Sequence, residues 1–438
     1  MSALAQQWSE ASRGGERLAG PQWLEQLRTQ AADQLQEHGL PQRRDEAWKY
    51  TPMRLLEKLN PTIDPLEQSD LVVRPVSDDL MPPALLEKQD CCIDIYDGQL
   101  ASTLENLRPG VSILPLAEGL SLYEAKLQKH LEAVDINGSS GAFAALNTAF
   151  LQHGMVIHLE PHCDAGSILL RWAFSAGEMA SIHNFRILLL LEKGSKLQLT
   201  EQFESLKSCG KALNVISHID LQEDSYLNHV RLQKEQDNSV LMTSTQAIQG
   251  ENSRYTYTGF DLGGGLVRHE LGSRLAGRGA QANFNGAFVL DHQRHVDNHV
   301  CVEHAAPDCN SEQFFRGVLG GRSRGVFNGR ALINAGADGS SVRQSNANLL
   351  LSGLAEIDTK PELEIYADEV VASHGATVGQ LDEAAVFYLR TRGLSDAAAR
   401  RILTSAFCLT VTERLEHPAL ASRIAELIDE VMPSDTIV

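Results

Sequence analysis

Residues 184–204 read NFRILLLLEKGSKLQLTEQFE, two apolar runs joined by the turn residues Lys193-Gly194-Ser195. Similar turns recur at Glu223-Asp224-Ser225, Glu251-Asn252-Ser253 and Arg278-Gly279-Ala280, at intervals of 30, 28 and 27 residues, and each is followed by another β-type run. A period near 28 residues, with strands but no helix between the turns, predicts the coil of a β-solenoid. A single coil of this kind cannot bury its own apolar face and must stack on its neighbours.

A β-sandwich or a barrel remains an alternative for the same block. Those folds use two-residue hairpin turns every 8–12 residues, and Asn-Gly and Asp-Gly pairs are their strongest signal. Such pairs occur at Asn137-Gly138, Asn285-Gly286, Asn328-Gly329 and Asp338-Gly339. The regular spacing of the other turns favours the solenoid.

The sequence on either side of this block is helical. Apolar residues recur at helical spacing from Trp23 to Leu35, and Pro418 begins a C-terminal helix whose apolar stripe is Leu420, Ile424, Leu427, Ile428 and Val431. We therefore predict four regions: an N-terminal helical region with a proline-rich strap (1–90), a mixed α/β lead-in (91–152), a parallel β-helix core (153–378) and a C-terminal helical region (379–438).

The composition excludes several classes of protein. The 438 residues are 43% hydrophobic and 22% charged, which is typical of a globular chain. A net charge of −19 without a long basic patch argues against nucleic acid and anionic membrane surfaces as partners. Seven scattered cysteines and an N-terminus without a signal-peptide pattern predict a cytoplasmic protein with free thiols.

The richest polar segment is DHQRHVDNHVCVEHAAPDC, residues 291–309, which contains His292, His295, His299 and His304. In a strand, His295, Asp297, His299, Cys301 and Glu303 share one face, and three valines lie on the other. A metal site is one interpretation, because these side chains are all metal ligands. We favour a polar outer face over a valine core, since one extended strand cannot close four ligands around an ion.

No phosphate-binding loop and no dinucleotide fingerprint occurs in the chain, so we expect it to bind no nucleotide. His374 lies in VVASHGATVG, where an apolar strand meets Gly375 and the chain turns towards a helix. Considered alone, this histidine would be structural.

The C-terminal third changes that interpretation. GVFNGRALI (325–333) and NANLLLSGLAEIDTKPELEIYADEVVASHGATVGQLDEAAVFYLRTRG (346–393) resemble the signature of the SufB/SufD family of iron–sulfur cluster assembly proteins. HVCVEHAAPDCNSEQFFR (299–316) and RRDEAWKYT (43–51) match the same pattern. Phe387-Tyr388 is followed by Leu389, where SufB proteins usually have a cysteine, so the resemblance favours the SufD branch.

The resemblance implies a right-handed parallel β-helix between helical regions, which pairs through the β-helix with SufB and binds the ATPase SufC through the C-terminal helical region. It places His374 in the family's C-S-H-G-A-T motif, as a ligand of a transient iron–sulfur cluster at the SufB interface, together with a SufB cysteine. Ala372 stands where that motif has its cysteine, so a thiolate at this position is not essential in this chain. Whether the isolated chain forms a homodimer through the same surface stays open.

Two functions follow. The first is a non-catalytic scaffold subunit for cluster assembly, with His374 as the metal ligand and Asp368 and Glu369 as candidate partners of its second nitrogen. The alternative is a cytoplasmic β-helix enzyme that acts on carbohydrate, with solenoid Asp and Arg residues as acid–base groups. The C-terminal helices are expected to be the dock for SufC through the apolar stripe, and the alternative is that the stripe is buried in the chain's own core.

Overall fold

The computed structural model describes residues 3–14, 20–63, 91–100, 107–133, 141–174, 180–205 and 210–433. Most of the proline-rich strap and the Asn137-Gly138 pair lie outside these residues.

Two long sheets face each other, and the chain alternates between them from β5 onwards. Sheet A has the order β19-β17-β15-β13-β11-β9-β7-β5-β4, with β1 beside β7, and sheet B has the order β20-β18-β16-β14-β12-β10-β8-β6-β2-β3. The strands of sheet A are β1 (Thr62–Ile63), β4 (Val111–Pro115), β5 (His153–Leu159), β7 (Ser181–Leu191), β9 (Lys211–Leu221), β11 (Val240–Gln249), β13 (Leu266–Leu275), β15 (His295–His304), β17 (Arg324–Ile333) and β19 (Glu356–Ile365). Those of sheet B are β2 (Cys91–Tyr96), β3 (Gln99–Leu100), β6 (Asp164–Phe174), β8 (Lys196–Ser205), β10 (Tyr226–Gln233), β12 (Arg254–Asp261), β14 (Gln281–Leu290), β16 (Asn310–Leu319), β18 (Ser341–Leu350) and β20 (Val371–Gly379).

Each coil of the solenoid contributes one strand to each sheet, and neighbouring coils pair in parallel. The register advances by 26 residues where Val240 lies beside Leu266 and by 32 where His153 lies beside Phe185. The predicted solenoid is therefore confirmed, and so is its drifting period. The hairpin interpretation was wrong, because Asn285-Gly286 and Asn328-Gly329 lie inside β14 and β17 rather than in turns.

One corner of each coil from β5–β6 to β17–β18 contains a residue in the left-handed region, which explains the recurring turn signature. The backbone N–H of Gly194 donates to the carbonyl of Glu223 in the next coil, that of Asp224 to Glu251, and that of Asn252 to Arg278, each at 2.9 Å. These corner residues, all with positive φ, are His162, Gly194, Asp224, Asn252, Gly279, Asp308 and Gly339. Gly, Asn and Asp tolerate this backbone conformation best, so the corners leave a periodic mark in the sequence.

The interior of the solenoid, which we call the lumen, is filled by inward-facing apolar side chains of both sheets, such as Leu189, Leu227, Phe284 and Phe327. Helices cover the outer faces of the sheets. They are α1 (Ala3–Gly14), α2 (Gln22–His38), α3 (Arg54–Leu59), α4 (Leu116–Leu122), α5 (Glu124–Glu132), α6 (Gly141–Ala149), α7 (Glu383–Thr391), α8 (Asp396–Thr412) and α9 (Pro418–Val431). The first six pack on sheet A, and α8 and α9 pack on sheet B.

The helix signals in the sequence agree with these bounds. Helix α2 ends at Gly39, which has a φ of 70°, and the Ser395 side chain accepts a hydrogen bond from the Ala398 N–H at the start of α8. The structure confirms a mainly β solenoid core with helical regions at both ends. In the described part of the chain no helix is both long and apolar enough to cross a membrane.

Candidate functional site

His374 lies in the middle of β20, the last strand of sheet B. The sequence placed it just before a glycine that ends the strand. That position was wrong, because Gly375 continues the strand and pairing with β18 extends to Gly379. Within the described residues β20 pairs with β18 alone, so its second edge is unpaired and His374 is exposed at the open end of the solenoid.

Exposed apolar side chains concentrate at this end of the molecule. Nine large apolar side chains are exposed in the described residues, and all but Leu122 belong to the last coil or the first two C-terminal helices. These eight are Leu354, Ile365, Tyr366, Val371, Val378, Phe387, Tyr388 and Ile402. Such a concentration is typical of an interaction surface.

His374 makes no hydrogen bond or ion pair with any described residue. The Asp368 N–H donates to Asp338 Oδ1 at 3.3 Å, and the Glu369 carbonyl accepts from the Gly339 N–H. These are backbone contacts, and no hydrogen bond or ion pair joins the carboxylate of Asp368 or Glu369 to the imidazole in the described structure. Within the described ranges no group of three or more His, Cys, Asp or Glu side chains is placed to bind one metal ion, so this part of the chain does not offer a complete ligand set around His374.

The histidine-rich segment forms β15 and the corners on either side of it. Val296, Val300 and Val302 face the lumen, as predicted, and the polar residues occupy the outer face of sheet A. His295 and Asp297 on that face are buried, because the N-terminal segment covers them. The Thr51 hydroxyl donates to Asp297 and lies 3.1 Å from His295 Nε2.

Arg268 joins this face to the N-terminal segment. It pairs with Asp297 and Glu270, donates to the Ala47 carbonyl at 2.9 Å and lies 3.8 Å from the centre of the Trp48 ring. The guanidinium lowers the pKa of the Asp297 carboxyl against the opposing effect of burial. The RRDEAWKYT motif thus has a structural role, since Trp48 and Thr51 attach the N-terminal region to sheet A.

A groove of about 850 Å³ crosses the outer face of sheet A beside this network. Cys301 lies on its floor, and burial raises the pKa of that thiol. The carboxylates along the groove are paired with cations, as in Arg330–Glu364 at 2.8 Å and Lys360–Glu362 at 2.6 Å. The hydrogen bond from Arg330 lowers the pKa of Glu364, which disfavours a general-acid role for that carboxyl.

A charged cluster inside the lumen has no counterpart in the sequence analysis. Arg231 and Asp261 pair at 3.1 Å, His269 lies 3.0 Å from Asp261, and His229 lies 2.9 Å from Glu201. Burial lowers the pKa of His269 to about 4. The sequence did contain a sign of this cluster: a charged residue stands at a position of the strand where the alternating residues before it are apolar and face the lumen.

The cysteines lie in different environments. Cys91 packs against the lumen cluster and Cys92 against the cluster beneath the C-terminal helices, as expected for adjacent residues of an ordinary strand. Cys309 occupies the corner position that serines hold in other coils, and its thiol donates to the Gly277 carbonyl at 3.4 Å.

The C-terminal stripe was wrongly predicted to be a docking face. Leu420, Ile424, Leu427 and Ile428 are buried against Val230, Phe260 and Val318 on the outer face of sheet B. The stripe is therefore part of the chain's own core. The exposed apolar residues of this region are instead Phe387 and Tyr388 on α7 and Ile402 on α8.

These features define a β-solenoid with helical regions at both ends and one histidine on an open terminal coil. The profile of the family described as "SUF system FeS cluster assembly, SufBD core domain" matches residues 174–407, so the chain belongs to this family. The iron–sulfur cluster assembly protein SufD of Escherichia coli (strain K12) is 27% identical over 435 residues, 99% of this chain and 97% of that protein. An iron–sulfur cluster assembly SufBD family protein of Synechocystis is 27% identical over 91% of this chain and 89% of its own length.

Proposed function

We propose that the chain is a non-catalytic scaffold subunit for iron–sulfur cluster assembly that acts with SufB and the ATPase SufC. Its family and the SufD relative of nearly equal length support cluster assembly over the carbohydrate enzyme. The paired carboxylates of the sheet A groove also disfavour acid–base catalysis there.

The observation that carries the proposal is the place of His374 on the unpaired strand of the open coil, among exposed apolar side chains. Iron–sulfur clusters are held by several thiolate or imidazole ligands. Because the described residues contain no group of three or more candidate ligands, a cluster bound at His374 would need ligands from another chain. SufB docked on β20 would supply them, and the same surface would form the homodimer if the isolated chain pairs with itself.

The second partner would bind the exposed face of α7 and α8. Phe387, Tyr388 and Ile402 offer an apolar surface there, whereas the α9 stripe is buried. The chain itself has no phosphate-binding loop, so nucleotide hydrolysis would belong to SufC. Ile402→Asp is expected to weaken SufC binding at least tenfold in a binding titration while leaving the melting temperature unchanged.

His374→Ala tests the ligand role in the complex with SufB and SufC. We expect the complex to assemble with normal ATPase activity and cluster formation to fall sharply at matched complex concentration. His292→Asn is the control, because His292 is an exposed corner residue with a φ of 58° that asparagine also adopts. A normal cluster yield in His374→Ala would exclude His374 from the site.

A further inference from the structure

His374 belongs to a column of inward-facing residues that runs along sheet B. Tyr257, Phe284, Gln313, Gln344 and His374 occupy equivalent positions in successive strands, because each pairs in register with the next. In parallel in-register strands such residues share one face, and neighbouring strands lie about 4.8 Å apart. Gln344 is therefore the residue directly below His374 in the lumen.

The two glutamines of this column have defined amide orientations. Gln313 Nε2 donates to the carbonyl of Arg330 at 3.1 Å, and Gln344 Nε2 donates to the carbonyl of Gly329 at 3.0 Å and to Gln313 Oε1 at 3.3 Å. A backbone carbonyl can only accept a hydrogen bond, so both amide nitrogens must face β17. With both nitrogens in these bonds, Gln344 Oε1 is the last oxygen of the network, and neither glutamine donates to it.

Gln344 Oε1 is a buried acceptor without a hydrogen-bond donor among the described residues, on a side chain that is 3% exposed. A buried polar atom without a partner keeps the full cost of its lost hydration. The next coil, formed by β19 and β20, offers few hydrogen-bond donors beside Gln344. Pro361, which lies in register beside Gly329, has no N–H, whereas His374 has a ring N–H that no described residue binds.

We propose that Gln344 is a positioning residue for His374, an inference that rests on the proposed role of His374 as an iron ligand. One ring N–H of His374 donates to Gln344 Oε1 when the imidazole turns over the mouth of the lumen. That bond fixes a single tautomer, and it leaves the lone pair of the other nitrogen directed out of the open end. Histidine ligands of metals are commonly oriented by such a hydrogen bond from their second nitrogen.

The contact can be tested in the full chain without a cluster, by NMR of ring-labelled histidine at about pH 8.5. His374→Gln assigns the His374 signals by their loss. We expect one predominant tautomer in the unaltered chain and a mixture in Gln344→Met, which keeps the side-chain length but removes the acceptor.

Arg343→Met is the matched control, since Arg343 is the preceding residue of β18 and is exposed on the outer face. It should leave the tautomer ratio unchanged. An unchanged ratio in folded Gln344→Met would overturn the proposal. If that variant does not fold, Gln344→Asn replaces it, because the side chain is one methylene shorter and its acceptor lies farther from His374. An unchanged tautomer ratio in Gln344→Asn would then overturn the proposal.

Cluster formation separates this proposal from the function on which it rests. In the complex with SufB and SufC, Gln344→Met should lower the cluster yield about tenfold at matched complex concentration, with normal ATPase activity. Loss in His374→Ala with full yield in Gln344→Met would refute the positioning role and leave the ligand role standing. Full yield in His374→Ala would refute the ligand role, and the NMR comparison would still decide whether the contact exists.

Discussion

Gly329 is the residue that makes room for the glutamine pair in the lumen. A Cβ at this position would lie 2.6 Å from Gln313 Oε1 and 2.7 Å from the Phe327 ring. Neither neighbour can retreat freely, because Gln313 is hydrogen-bonded to β17 and Phe327 is completely buried.

Gly329→Ala is therefore expected to lower the free energy of unfolding by about 1–3 kcal/mol, the usual cost of overpacking a core. Urea denaturation measures the change. Gly379→Ala is the control, since nothing lies within 4 Å of a Cβ built there. Equal stability of the two variants would show that the lumen accommodates the added methyl group.

Several buried histidines remain neutral in the folded chain. Burial lowers the pKa of His269, His295 and His304 to about 4, from an ordinary value of 6.5. His304 shows the arrangement simply, because its Nε2 lies 2.8 Å from Ser311 Oγ and its Nδ1 is buried without a partner among the described residues. Its protonation in the fold would leave a buried charge that has the backbone of Cys309 but no carboxylate beside it among the described residues.

Between pH 6.5 and pH 4 the unfolded chain binds more protons at these histidines than the folded chain. Their contribution to stability is complete above pH 6.5 and is lost as the pH falls through this window. The loss is up to about 3 kcal/mol for each histidine.

We expect His304→Gln to reduce the fall in unfolding free energy between pH 7 and pH 4.5 by about 2 kcal/mol. The exposed His292→Asn should leave the pH dependence unchanged, and an unchanged dependence in His304→Gln would contradict this account.

At the scale of elements, the helix α9 belongs to the core of the chain. Leu427 is 1% exposed and packs in the cluster that joins α8 and α9 to sheet B. Removal of α9 would therefore uncover an apolar sheet face rather than delete a separate docking surface.

Leu427→Ala is expected to lower the free energy of unfolding by about 2–5 kcal/mol, as for other buried leucines. Ile402→Ala, at a side chain that is 46% exposed, should change it by less than about 0.5 kcal/mol. Differential scanning calorimetry of both variants checks the contrast. If Leu427→Ala melts like the unaltered chain, the stripe is not part of the core.

The elements also show what the sequence could and could not predict. The turn spacing favoured the solenoid over a sandwich or a barrel, because left-handed corners admit few residue types and so recur visibly. Asn328-Gly329 suggested a hairpin turn, yet Gly329 lies inside β17, where the absence of a side chain leaves room for Gln313 and Phe327 in the lumen. The place of Gln344 beside His374 could not be predicted, since the two residues lie in neighbouring coils and the register of the coils shows only in the structure. His374 itself was found through the family motif.

At the scale of the whole molecule the two ends of the solenoid differ. The first coils are closed by β4, which is antiparallel to β5, by the β2–β3 pair, and by α4 and α5. The last coil has two unpaired edges within the described residues, β19 and β20. Exposed strand edges invite pairing with another chain unless charges or proline protect them.

Only one of these two edges is protected. Strand β19 carries Pro361 and a row of charged side chains, including Lys360 and Glu364, whereas β20, with the sequence VASHGATVG, has no proline and no Asp, Glu, Lys or Arg. Val371 and Val378 on β20 are 71% and 49% exposed. The open β20 edge is therefore the surface that we expect a second chain to pair with.

Val378→Lys tests this expectation, because a lysine on an edge strand opposes pairing with another strand. We expect the dissociation constant for SufB, or for self-association of the isolated chain, to rise at least tenfold in analytical ultracentrifugation. The melting temperature of the monomer should not change, since the replaced side chain is half exposed. Leu122→Lys is the matched control, at a 68% exposed leucine on α4 at the closed end. Equal weakening by both lysines would indicate a general effect of charge, and no weakening by Val378→Lys would exclude the β20 edge as the interface.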